Sequence, residues 1–205
     1  MTRLLALGFA AVLGMAVAMP VLTVTFGPAW GLGLGMAIYW VAFCIPMALT
    51  AGGGGLRRRM ALSTGGKPLY GLLLAAQVVA VAGVSFFILP DGAPAWIFPA
   101  ALAAALVNGT LEEAAWRAAP LEVMAGRLGP FVAVQVLFGL WHVSLGLAQG
   151  IVHHGGLLNL VAGGLGLGAF WALVAWRTGR AGPGALAHVL TNAAAFPVSL
   201  ALTWG

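Results

Sequence analysis

The chain has 205 residues, 62% of them hydrophobic and only 6% charged. A water-soluble globule could not cover its surface with so few polar side chains, so the solvent for most of this chain is lipid. The net charge of +5 would suggest a nucleic-acid partner in a soluble protein, but here the basic residues sort by loop and no nucleic acid is expected.

A hydrocarbon core of about 30 Å needs roughly 20 apolar residues per helical span. Seven stretches fit, at about 4–26, 29–50, 69–89, 95–119, 129–149, 156–176 and 183–203. The expected fold is all-α: a polytopic transmembrane helical bundle of about seven spans, one membrane domain over 1–205. Alternate loops carry all the basic loop charge. With Arg3 in the cytoplasm, Arg57, Arg58, Arg59, Lys67, Arg127, Arg177 and Arg180 fall on the same side, which places the N-terminus inside. Arg outnumbers Lys eight to one and Ala and Gly abound, a composition that points to a bacterial inner membrane.

The first span holds a small-residue site, Ala16-Val17-Ala18, of the kind that ends a signal peptide. Apolar character continues to Phe26 without a charged break, so a retained helix is the simpler reading. Gly31 to Gly35 and Gly164 to Gly168 are small-xxx-small spacings, read as helix packing alone. Gly52 to Gly55 reads as a flexible loop start, since no Gly-Lys-Ser/Thr follows it to bind phosphate. Cys44 is the single cysteine, which excludes a disulfide framework. No internal repeat is visible, which weakens an inverted-repeat transporter.

The chemistry concentrates in the later spans. Of four acidic residues in the chain, Glu112 and Glu113 are adjacent inside the fourth span, with Arg117 close behind. Each ionised side chain near the bilayer centre costs roughly 2.5 to 3.5 kcal/mol on insertion scales, so such groups are kept for function by default. Glu113 and Arg117 are four apart, acid first, the favourable order for an ion pair on one face. Glu112 is rotated about 100° away and is expected to point into the bundle, free to change protonation in a water-poor pocket. The bland alternative is an ion-pair cluster that only fixes helix packing.

Two further elements carry polar groups on the inner parts of spans. Phe138 and His142 lie in the fifth, His188 and Asn192 in the seventh. His188 and Asn192 share a helix face and can converge on an oxygen developing negative charge. At about 1.5 Å per residue, Glu112 lies about 12 Å above Pro120, His142 about 20 Å above Gly129, and His188 and Asn192 about 8 and 14 Å past Pro183. These depths overlap in the cytoplasmic half, with His142 the least comfortable.

Glu112-Glu113-Ala-Ala-Trp-Arg117, then Phe138 to His142, then His188 to Asn192 resemble, in order and spacing, the three motifs of the CPBP family, the CAAX protease and bacteriocin-processing enzymes that include type II CAAX prenyl endopeptidases. The resemblance covers roughly Pro99 to Thr203. Ala118 stands where many relatives have Gly after the motif arginine. The resemblance implies an intramembrane glutamic endopeptidase with catalytic Glu112, Glu113, His142, His188 and Asn192, supported by Arg117 and Phe138. It implies that Glu112 activates water with help from His142, and that His188 and Asn192 stabilise the oxyanion. The implied partners are the bilayer and a membrane-embedded or lipidated peptide.

Other chemistries fit less well. No His is followed by Glu as a His-Glu-x-x-His zinc protease requires. None of the four serines stands in a Gly-x-Ser-Gly context, and the one aspartate, Asp91, lies in an outer loop. Carboxylates and imidazoles also suit zinc, but Arg117 repels a divalent cation and Asn192 is a poor zinc ligand, so no cofactor is expected. His153 and His154 read as outer-loop residues. The remaining alternatives are a non-catalytic scaffold or immunity partner that keeps the framework, a zinc-dependent version of the same protease, and a proton carrier that uses the buried Glu and His as a relay.

Overall fold

The computed structural model describes residues 1–124 and 126–205. Eight helices account for nearly all of it: α1 (Thr2–Phe26), α2 (Pro28–Leu49), α3 (Gly53–Arg59), α4 (Pro68–Ile88), α5 (97–123), α6 (Leu128–Gly146), α7 (Gly156–Thr178) and α8 (Gly182–Trp204). Six of them are long and apolar enough to cross a membrane: α1, α2, α4, α6, α7 and α8. The seventh rod, α5, spans as many residues but carries the buried charges and a π-helical turn at Ala114–Ala118. The outward faces are apolar, with Trp30, Phe86, Phe87 and Leu158 all at least 77% exposed, as expected where lipid replaces water. This is a polytopic helical membrane protein.

The arrangement follows from local sequence. Gly27, at φ 79°, reverses the chain and Pro28 opens α2 in the first turn, where no N–H is needed. Gly31 then lets α2 lie on α1: a Cβ there would sit 2.4 Å from Thr23 Cα. α8 packs most extensively against α5, and α6 against α7, while α1 bridges α2 and α6. The two helices that carry the glutamates and the His188–Asn192 pair are therefore direct neighbours.

The fourth span does not stop at 119. The helix continues through Pro120 to Val123, because the acceptor that proline strands is satisfied from elsewhere. Pro120 has no N–H for the Trp116 carbonyl four residues back, and Gln135 Nε2 of α6 donates to that oxygen at 2.7 Å. Glu112 is thus about 16 Å from the inner end of its helix and His142 about 21 Å from the start of α6. The depth mismatch anticipated for His142 shrinks accordingly.

The basic loops meet on one side. Gly53 to Gly55 are helical in α3 rather than a flexible start, and Gly55 leaves room for Glu122, whose Cγ would be 2.8 Å from a Cβ there. Glu122 accepts from Arg58 Nη2 at 2.7 Å and from Arg59 Nε at 2.9 Å. Arg59 Nη1 donates to the Gly179 carbonyl, Arg180 Nη1 to that of Arg58, and Lys67 Nζ to that of Arg177. The segments around Arg59 and Gly179, 120 residues apart, thus meet beside the inner end of α5, where Glu122 holds Arg58 and Arg59. Asp91, His153 and His154 lie at the opposite end, as the charge pattern requires.

Hydrogen bonds from Arg58 and then Arg59 hold the Glu122 carboxyl below the ordinary glutamate range. A depressed carboxyl contributes stability that is complete above its unfolded value of about 4.3 and is lost as pH falls through the folded value. Glu122→Gln is expected to lower the Tm of the detergent-solubilised protein at pH 7, with the gap to wild type closing below about pH 4.

Candidate active site

The core of the site is α5. Glu112 is 2% exposed, and Glu113 and Arg117 are fully buried. Glu113 Oε1 lies 3.1 Å from Arg117 Nη1, the expected i,i+4 ion pair, although the guanidinium is not aligned to hydrogen-bond there. Arg117 donates instead from Nη2 to the Gly168 carbonyl at 3.1 Å, and its planar group stacks 3.8 Å above the Phe138 ring. Phe138 is therefore a cation–π platform for Arg117.

Glu112 points the other way, as its rotation predicts, but its surroundings are polar. Oε1 accepts from Tyr39 OH at 2.9 Å and from Trp141 Nε1 at 3.0 Å. Oε2 accepts from Asn108 Nδ2 at 3.1 Å and faces His188 Nε2 at 3.5 Å. A carboxylate has about four lone-pair sites, so Glu112 is nearly saturated. The expected freedom in a water-poor pocket is replaced by a fixed orientation, because the bundle supplies the donors that solvent would have supplied.

His188 bridges the two acids. Its Nδ1 is 3.2 Å from Glu113 Oε1, its Nε2 faces Glu112, and its ring stacks on Trp171 with centroids 4.1 Å apart. Trp171 Nε1 donates to Gln77 Oε1 of α4, and Gln77 Nε2 donates to Thr191 Oγ1 of α8. His142 Nδ1 sits 3.0 Å from the Phe138 carbonyl. A carbonyl only accepts, so in that contact Nδ1 carries the proton, and in the neutral ring Nε2 presents its lone pair.

Four buried atoms of the cluster lack a hydrogen-bond partner, two of them Arg117 Nε and Nη1 beside Glu113 and the Phe138 ring. Asn192 Nδ2 is a buried donor with nothing to donate to, and Glu113 Oε2 a buried acceptor with nothing to accept from. Buried polar groups are nearly always paired, so an orphan donor one helical turn beyond His188 marks a place for an acceptor to arrive. Carboxylates, an imidazole with a free lone pair and an orphan amide donor are a set suited to addition of water to a carbonyl. Among the described residues no three His, Cys, Asp or Glu side chains are positioned to hold a metal ion.

The small-residue spacing in α7 proves to be part of this site. A Cβ at Gly164 would lie 2.6 Å from His142 Cγ, and one at Gly168 would lie 2.7 Å from Phe138 Cε1 and 2.9 Å from Arg117 Nη2. These glycines make room for the motif side chains and do more than pack helices. The sequence reading missed Tyr39, Asn108, Trp141 and Gln77. Asn108 stands one turn before Glu112 and Trp141 adjoins His142, both readable signals. Tyr39 and Gln77 lie in spans far from the motifs, where only the fold brings them near.

A family model described as "type II CAAX prenyl endopeptidase Rce1-like" matches residues 94–194, about half of the chain and inclusive of all three motifs. No curated protein and no solved structure matches the chain.

Removing one member of a buried ion pair leaves its partner uncompensated, at a cost of about 3–5 kcal/mol. Glu113→Gln is expected to lose stability of that order, read by thermal unfolding in detergent. The double variant Glu113→Gln/Arg117→Met should recover part of it.

Proposed function

The chain belongs to the type II CAAX prenyl endopeptidase Rce1-like family of intramembrane proteases through residues 94–194, and from that premise we propose that it hydrolyses a peptide bond of a lipid-modified or membrane-embedded peptide at the Glu112 cluster. The observation that carries this reading is the pairing of a fixed carboxylate with the buried, unpartnered Asn192 amide, on helices that are direct neighbours.

In the proposed reaction a water lies between Glu112 Oε2 and His142 Nε2. It gives up a proton to this pair as its oxygen bonds to the scissile carbonyl carbon. The carbonyl π electrons move to oxygen, where Asn192 Nδ2 donates. His188 makes the longest of the four contacts to Glu112, and it is the one released to join Asn192 at the oxyanion. Collapse of the tetrahedral intermediate breaks the C–N bond, and the proton held by the Glu112–His142 pair passes to the leaving amine. Glu113 acts through its neighbours, holding Arg117 and His188 in place. The family description makes prenylated C-terminal tails the first substrate class to test.

Purified protein in liposomes should cleave a farnesylated CAAX-type peptide, followed by mass spectrometry, while Glu112→Ala leaves it intact and remains folded. Unchanged turnover by Glu112→Ala would sink the mechanism and favour a non-catalytic membrane partner. Asn192→Ala should lower kcat by about 10²–10³-fold, the loss seen when one oxyanion donor is removed.

A further inference from the structure

We propose that Tyr39, in the second span and outside the family-matched segment, is a positioning residue that decides which oxygen of Glu112 takes part in the reaction. The inference rests on the hydrolytic reading given above. Tyr39 is fully buried about 15 Å from the inner end of α2, level with Glu112. It opens a π-helical turn, Tyr39–Cys44, that lies against the π-helical turn Ala114–Ala118 just after the glutamates. Such turns carry one extra residue and re-aim side chains.

Three contacts fix the Tyr39 hydroxyl. Its ring is stacked on Trp141, with centroids 3.7 Å apart and planes 13° from parallel. Its oxygen accepts from Trp116 Nε1 at 2.7 Å. With that donor occupying the oxygen, the single O–H proton is directed to Glu112 Oε1 at 2.9 Å. Trp141 Nε1 donates to the same oxygen, so Oε1 is fully engaged, while Oε2 has one hydrogen bond, from Asn108, and is open on its other side once the longer His188 contact is released. Trp40 donates to Asn108 Oδ1 at 2.9 Å, and Asn108 in turn addresses Oε2. Two consecutive residues of α2 thus hold both carboxylate oxygens, one directly and one through Asn108.

A hydrogen bond to a charged group, when lost, costs about tenfold to a hundredfold in a rate that depends on it. Tyr39→Phe keeps the ring and its stacking and removes only the O–H. It is expected to lower kcat on the farnesylated peptide by about tenfold to a hundredfold with KM within about twofold, a split that a merely loosened fold would not give. Trp116→Phe frees the Tyr39 hydroxyl to rotate and should lower kcat less. The double variant should cost no more than Tyr39→Phe alone, because both act through one bond. Tyr70→Phe, at the other tyrosine, is the control expected to match wild type. If wild type cleaves, Glu112→Ala does not, and Tyr39→Phe turns over like wild type, this inference fails and the hydrolytic reading stands. If Glu112→Ala cleaves like wild type, the hydrolytic reading fails and takes this inference with it. Should Tyr39→Phe not fold, Trp116→Phe decides: a lowered kcat at constant KM supports the inference, and unchanged kcat overturns it.

Discussion

Two neighbouring carboxylates held out of contact with solvent on one helix are the constraint around which the rest of the bundle is organised. Adjacent like charges repel, and each loses hydration on burial, so neither could persist on a bare apolar helix. The structure separates them by helical phase. Glu113 turns toward Arg117, itself braced by Phe138 and the Gly168 carbonyl, while Glu112 turns toward a ring of neutral donors. His188 sits between and touches both. Each acid has its own kind of compensation, a cation for one and oriented dipoles for the other.

That division explains why so many aromatic side chains lie at one level of a membrane protein. Trp116, Trp141 and Tyr39 each combine a large apolar body, which packs well among helices, with one N–H or O–H. They can therefore be buried like hydrocarbon and still supply a hydrogen bond. Trp116 and Trp141 are among the most completely buried side chains in the molecule, and both end on the Glu112 network. Ser or Asn at the same places would leave cavities, and Phe would leave the carboxylate unsatisfied.

Much of this was legible beforehand, for identifiable reasons. The long helices and the gathering of the basic loops at one end follow from apolar length and from the alternation of the arginines, which is why boundaries differ by only a few residues. The largest difference, at Pro120, arose because a proline reads as a helix end unless something distant satisfies the stranded carbonyl, and Gln135 is distant. The Glu113–Arg117 pair was readable because it is local. The environment of Glu112 was not, because its donors come from residues 39, 108 and 141, and no sequence spacing ties the first of these to the others. His188 was expected, from its place on α8 and by resemblance, to serve an oxyanion. Its observed contact with both glutamates depends on the approach of α5 to α8, which Gly109 permits by lying against the Val189 backbone.

The abutting π-helical turns at Tyr39–Cys44 and Ala114–Ala118 set a matter of phase. Each behaves as a one-residue insertion in an otherwise regular rod. Deleting one residue from the regular helix beside either turn, where no bulge absorbs the change, would swing everything on one side by about 100° relative to the other. In α5 that rotation would carry Glu112 away from Tyr39 while the Glu122 anchor stayed in place. In the stretch from Glu112 to Val123, then, length is as much a part of the chemistry as residue identity. The outer turns, which anchor no site residue, carry no such restriction.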